Sequence, residues 1–315
     1  LHVVPAPWIA GPEDLPPLEP PAEDGWESAE AERAAREHQY EALWHAMDDF
    51  VAVFCCELHI ADREQRPKTR FMRRLFGYYM TGHRTEDIFA SVYGTGGNSK
   101  SVFFDILETT FGDFVACCNS QLILVQRNPR GADDATPVDF RLAETGARLC
   151  LLDELKHGDQ IDAKQLRKRG EQGKGELMRQ LFGETERRTI HASTVLSADT
   201  EPAIEGGATQ PAVRRFRRIV AEARIGDAEQ EGDLHYRPEF ADPESSEYRG
   251  AEWCRTHFPR DKTIKHKLSG TPLARAGVAL WIQLGAQGWA AADPASGKEA
   301  RSAGQWPEEW AQAAK

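Results

Sequence analysis

No C-x-x-C pair occurs in this chain, and its six cysteines (Cys55, Cys56, Cys117, Cys118, Cys150 and Cys254) form two adjacent pairs and two singles. Adjacent cysteines do not bridge easily, and the spacing suits no zinc site, so they read as reduced thiols of a cytoplasmic protein. Long apolar runs are missing too. Nothing approaches the roughly 18 residues of a membrane span, which argues against a membrane partner. The N-terminus has no basic region followed by an apolar core, so no secretory leader is visible. Positive charge is scarce: 39 Lys and Arg stand against 50 Asp and Glu, a formal net charge of −11. That excludes a uniformly basic nucleic-acid coat but leaves room for a local basic channel. The apolar fraction, 40 %, is modest yet sufficient for a folded core, and 315 residues suffice for one or two domains. The chain starts on Leu1 rather than Met and reads as a piece of something longer.

Proline is concentrated at the front. Pro5, Pro7, Pro12, Pro16, Pro17, Pro20 and Pro21 sit with several acids in residues 1–26, which read as a disordered or extended linker. Residues 27–84 form an N-terminal helical segment. Ser28 suits an N-cap, and Leu43, Met47, Phe50, Val51 and Phe54 repeat at helical spacing. A second helix is predicted over 68–81, buried through Phe71, Leu75, Phe76, Tyr79 and Met80 and stopped by Gly82.

The most informative stretch is Val92-Tyr93-Gly94-Thr95-Gly96-Gly97-Asn98-Ser99-Lys100-Ser101. It reads as a strand end, a glycine-rich turn and a helix opening on Lys-Ser. This is nearly the phosphate-cradling pattern G-x-x-x-x-G-K-[ST], with Ser99 in place of the last glycine. Gly94 through Ser101 are therefore the candidate nucleotide-binding residues, and a helix N-terminus supplies the N–H groups and partial positive charge that a phosphate needs.

Further strands are expected at 122–125, at 147–152 and at 192–197, with a short helix over 140–145. The run Leu149-Cys150-Leu151-Leu152 lacks alternation, as a strand buried on both faces would. It ends in Asp153 and Glu154, at the strand end where α/β sheets hold ligands. Asp153 would hold Mg²⁺ together with Ser101, and Glu154 would orient the attacking water. Residues 156–188 are locally basic and glycine-rich, through Lys164, Arg167, Lys168, Arg169 and Lys174. Such a stretch either grips a phosphate backbone or is a solvated loop. Arg214, Arg215, Arg217 and Arg218 cluster around Phe216 ahead of a strand-like Ile219-Val220. Arginines there either reach a neighbouring subunit's nucleotide or serve a surface role. Residues 227–260 are polar and read as helical between prolines, and a core helix runs over 275–289 with Trp281 and Trp289 in the packing.

Phe71-Met72-Arg73-Arg74-Leu75-Phe76-Gly77-Tyr78-Tyr79-Met80-Thr81-Gly82, running into the phosphate loop, resembles the phage and plasmid primase–helicase family, a superfamily 3 helicase group with poxviral relatives. Leu152-Asp153-Glu154, the segment 162–181, Arg214-Arg215 and Gly277 through Trp289 match further motifs in the family's order. The resemblance spans roughly residues 40–290. It implies an α/β fold of the P-loop NTPase class: an AAA+-like core with a largely parallel sheet over 85–225, flanked by the N-terminal segment and a C-terminal helical segment over 226–315. It implies ATP and Mg²⁺, a homo-oligomeric ring (usually a hexamer), movement along single-stranded DNA, and a primase domain or protein as a possible companion. On this resemblance Lys100 neutralises the β/γ-phosphates, Arg215 or Arg214 acts in trans, and a hairpin around Lys164, Lys168, Arg169 and Lys174 tracks DNA.

Three positions depart from the family pattern. Ser99 replaces Gly, at about 1–2 kcal/mol if its φ is positive. Asp199 stands where an Asn sensor is expected, and an ionised Asp only accepts hydrogen bonds. Gln172-Gly173-Lys174 replaces a Gly-Gly-Asp. The reading is therefore an ATP-dependent DNA helicase of phage or plasmid replication. The alternatives are an ATP-binding assembly protein that turns over weakly or not at all and, third, a P-loop small-molecule kinase.

Overall fold

The computed structural model describes residues 27–125, 137–153, 155, 158–170, 176–179, 185–205 and 215–290. The expected arm over 1–26, the tail beyond 290, Glu154, Lys174 and Arg214 lie outside the described residues.

The architecture is α/β, centred on a five-stranded, wholly parallel sheet. Its strands are β1 (Phe89–Tyr93), β2 (Val115–Cys118), β3 (Leu149–Leu152), β7 (Ser193–Ala198) and β9 (Phe216–Val220), in the order β2-β3-β7-β1-β9. Among the described residues there are also short pairs: β4 (Gln160–Ile161) with β8 (Ala203–Ile204), β5 (Glu176–Arg179) with β6 (Thr185–Arg188), and β10 (Arg224–Gly226) with β11 (His257–Pro259). The helices are α1 (Ala29–Phe54), α2 (Pro67–Thr81), α3 (Lys100–Phe111), α4 (Pro137–Thr145), α5 (Ala163–Gly170), α6 (Ala251–Thr256), α7 (Ile264–Ser269) and α8 (Pro272–Ala290).

Successive strand residues feed opposite faces, as the period of two requires. Ala90, Val92, Leu149, Leu151, Val195 and Ile219 pack into one cluster with α1, α2, α3 and α8. Phe89, Cys150, Leu152, Leu196 and Phe216 pack into a second with Leu142 of α4 and Leu166 of α5. The sheet is thus covered on both faces, and all four residues of β3 are buried as its unbroken apolar run predicted.

The N- and C-terminal helical segments pack directly on one another. A Cβ on Gly77 would collide with backbone atoms of Gly285 and Ala286, one on Gly285 with the Arg73 carbonyl, and one on Gly277 with the Leu43 carbonyl. Glycine at these positions lets α8 lie backbone to backbone against α1 and α2. Asp48, fully buried on α1, clasps the layer: it accepts from the Trp281 indole at 3.0 Å and pairs with Arg73 at 3.4 Å and Arg66 at 3.5 Å. Burial pushes the Asp48 carboxyl above its usual range, while Arg73, the indole and Arg66 pull the other way. The N-terminus of α2 has no cap from its own Arg66; instead buried Glu57 accepts from the N–H groups of Lys68 (2.9 Å) and Thr69 (2.8 Å).

Two sequence expectations need correction. Residues 122–125 are not a strand: Ser120–Leu122 is a 3-10 turn and Leu124 makes a single bridge to Ile161. The edge strand is β2 instead, of which only Val115 is fully covered. Residues 227–260 are mostly turns around β10, α6 and β11 rather than helices between breaks. All six cysteines are free, and burial pushes the Cys56 thiol up to about 12. Among the described residues no helix is long and apolar enough to cross a membrane.

Candidate functional site

The register sets Tyr93, the end of β1, beside Ala198 of β7 and Val220 of β9. The chain leaves β1 for the far edge strand β2, then returns through β3 to β7 before crossing to β9. The C-terminal end of β1 is therefore where connections diverge, the crevice in which parallel α/β sheets bind ligands. The loop root is tied on both sides: Gly94 N–H donates to the Ala198 carbonyl at 3.2 Å, and Ala221 N–H to the Tyr93 carbonyl at 2.8 Å.

Six residues then turn the chain from strand to helix. Three of them have positive φ: Gly94 at 156°, Gly97 at 78° and Ser99 at 64°. At Gly97 a Cβ would also collide with the Leu234 side chain. Ser99 adopts the same region with a side chain, at a cost of about 1–2 kcal/mol. Asn98 braces the turn: its Nδ2 donates to the Thr95 carbonyl at 2.5 Å, and its Oδ1 accepts from Lys100 N–H at 3.3 Å. It is 2 % exposed, so its amide is spent on the loop rather than on a ligand. Among the described residues, the N–H groups of Gly96, Gly97, Ser99 and Ser101 have no hydrogen-bond partner. With the N-terminus of the 12-residue α3 behind them, they make a cradle for an anion.

The Lys100 side chain is buried and does not point free into solvent. Its Nζ donates to the Gly94 carbonyl and pairs with Asp199 Oδ1 at 3.2 Å. Asp199, one residue beyond β7, is more than half exposed. A cavity of about 770 Å³ opens here, within the range of small-molecule sites. Gly96 through Val102 and Asp199 line one part of it. Phe50 and Val53 of α1, Leu58, and the wall formed by Ile225, Leu234, Phe258 and Pro259 line the rest. Sequence reasoning missed that apolar wall, because its residues come from three separated segments and none carries a motif.

Asp153 lies one residue past β3, at the same end of the sheet as the loop, with β7 between them. Its carboxylate accepts from Ser120 N–H, and its own N–H donates to the Cys118 carbonyl at 3.0 Å. It is exposed but does not line the cavity. Among the described residues no three His, Cys, Asp or Glu side chains gather to form a self-sufficient metal cage.

Arg215 immediately precedes β9, whose first residue Phe216 is in register with Phe89 at the start of β1. Parallel strands put it at the opposite end of the sheet from the loop, roughly 16 Å along a five-residue strand. Its side chain is 10 % exposed and pairs with Asp87 at 3.3 Å. It therefore does not serve its own loop. Of the residues expected at a DNA hairpin, Lys168 and Arg169 belong to α5, and β5 and β6 form an antiparallel pair beyond it. Arg169 is no surface cation. It is buried against Asp139, itself 1 % exposed, at 2.5 Å, and its carbonyl accepts from Arg84. Lys168 is 3.8 Å from the same carboxylate, while Lys164 is exposed.

No family model matches the chain, and no curated protein matches it in sequence. Among solved structures, an apo structure of the NrS-1 C-terminal region aligns with TM-score 0.43 and 10 % identity, over 78 % of this chain and 45 % of that one. A second apo structure of the same region aligns with TM-score 0.43 and 10 % identity, over 76 % and 44 %. A third aligns with TM-score 0.39 and 13 % identity over the same shares. The chain thus spans less than half the length of the structures it matches.

Proposed function

We propose that this chain is a P-loop ATPase with an AAA+-like core that binds ATP in the cavity at Gly94–Ser101 and couples its hydrolysis to movement on single-stranded DNA as part of a homo-oligomeric ring. The observation that carries the reading is the loop itself: an anion cradle of unpartnered N–H groups at a helix N-terminus, beside Lys100, at the C-terminal end of β1.

The residues present suit a nucleotide and Mg²⁺. A terminal phosphate in the cradle would attract Lys100 away from Gly94 and Asp199, since phosphate carries more charge than a carbonyl and a carboxylate more exposed to water. Mg²⁺ keeps several waters and uses one or two carboxylates plus phosphate oxygens. Ser101, exposed in the cavity, and Asp153 would hold it, and bound there it would neutralise charge on the phosphates. Glu154 is the proposed water-orienting base. Arg215 and Arg214 are proposed to act on a neighbouring subunit's nucleotide, Arg215 after release from Asp87. Lys164, at the exposed surface of α5, remains a proposed DNA contact.

The test is ATP hydrolysis measured with and without single-stranded DNA. Wild-type chain is expected to show DNA-stimulated turnover and Lys100→Ala none; equal rates in the two proteins overturn the catalytic assignment. One observation favours a second reading. Asp199 holds Lys100 and would face the terminal phosphate with like charge, which suits a protein that binds ATP to assemble but turns over slowly. Tight ATP binding and oligomerisation without hydrolysis would select it.

A further inference from the structure

The cavity is positively charged within an acidic chain. Lys100, Arg260, Lys262 and Lys265 line it against Asp199 and Asp261, in a protein of net charge −11. Most of these charges are already matched. Lys100 pairs with Asp199, Lys265 with Asp105 at 2.8 Å, Lys262 with Glu229 at 3.7 Å, and Asp261 with Lys267 at 2.7 Å. Arg260 is the lining cation, among the described residues, that has no acidic partner.

Its backbone is held in register with the phosphate loop. Ile225 N–H donates to the Gly97 carbonyl at 2.7 Å, which lays β10 alongside the loop. β10 pairs in parallel with β11, with Gly226 opposite Pro259, and Arg260 N–H donates to the Gly226 carbonyl at 2.9 Å. Leu234 locks the two together: its backbone fills the space a Cβ on Gly226 would need, and its side chain abuts Gly97. Loop, β10 and β11 are therefore consecutive hydrogen-bonded neighbours, and Arg260 stands two strand spacings from the loop, roughly 10 Å. Arg260 and the loop line the same cavity, so a phosphate chain seated in the cradle would be within reach of a long guanidinium side chain.

We infer that Arg260 is a phosphate-binding residue of this cavity, supplying in cis a second cation beside Lys100 for the phosphate chain of the bound nucleotide. The inference rests on the nucleotide reading of the site. It also separates two arginine roles, because Arg215, at the far end of the sheet and paired with Asp87, cannot serve its own loop.

Calorimetric titration of the full chain with ADP, ATP and inorganic tripolyphosphate tests it. Tripolyphosphate carries the phosphates without sugar or base. Arg260→Ala is expected to weaken all three by about tenfold, as loss of a charge-assisted contact does, with Arg260→Lys retaining most of the affinity. Unchanged affinities in Arg260→Ala, with Lys100→Ala still abolishing binding, overturn the Arg260 role and leave the nucleotide site standing. Losses confined to ADP and ATP assign Arg260 to the sugar or base and overturn a phosphate contact. Wild-type chain that binds none of the three overturns the nucleotide reading and this inference with it.

Discussion

Lys100 and Asp199 form an ion pair, Nζ to Oδ1 3.2 Å, across the mouth of the loop. Register brings them together: Gly94 follows Tyr93 on β1, Asp199 follows Ala198 on β7, and those strand ends are direct neighbours. The residue that follows the sheet's middle strand β7 thus meets the lysine that a phosphate would otherwise claim.

Asp199→Asn removes a competitor for Lys100 and a like charge facing the phosphate. Coulomb repulsion of about 1–2 kcal/mol near a hydrated surface corresponds to roughly tenfold tighter ATP binding. ADP, one phosphate shorter, should gain less. Parallel titrations of both nucleotides check this, and an equal gain for the two would remove Asp199 from the terminal phosphate.

Ser99→Gly relieves left-handed strain at φ 64° but loosens the unfolded chain. Strain of about 1–2 kcal/mol against an entropy cost of about 0.5–1 kcal/mol leaves a net stabilisation of roughly 0.5–1 kcal/mol. Urea denaturation should show a raised midpoint with unchanged slope.

Two glycines of α8 should respond oppositely to alanine. At Gly285 a Cβ would strike the Arg73 carbonyl, a backbone atom that cannot swing aside, so Gly285→Ala should destabilise by about 3 kcal/mol. At Gly288 the nearest atom, Arg74 Nε, is 3.6 Å away, so Gly288→Ala should gain about 0.5–1 kcal/mol from helix propensity. Thermal unfolding of the two variants side by side distinguishes packing from propensity.

The basic stretch should divide by burial. Arg169→Ala removes the 2.5 Å partner of the buried Asp139 carboxylate, Lys168 standing farther off at 3.8 Å, and should cost about 3 kcal/mol of stability. Lys164→Ala should leave stability unchanged, weaken single-stranded DNA binding severalfold and lower the salt slope by about 0.7. Binding isotherms at several salt concentrations, beside a melting curve, would refute the division if Lys164→Ala changes only stability.

Local chemistry made much of the core legible from sequence. Val92 through Ser101 fixed a strand, a turn and a helix because glycine and a Lys-Ser pair are needed in that order at one short reversal. Leu149–Leu152 announced a strand covered on both faces because nothing in it was polar, and helix α8 showed through its apolar spacing. What the tertiary structure decided depended on residues far apart in the chain. Strand order set Asp199 against Lys100 and put Arg215 at the end of the sheet away from its own loop. Burial turned Arg169 from a surface cation into the partner of Asp139. The cavity wall joins Phe50, Ile225, Leu234 and Phe258, and Arg260 gains its position only through the ladder from Gly97 across β10 to β11. None of these relations has a period or a motif, since a parallel sheet aligns residues by register across long connections, and register is set by packing on both its faces.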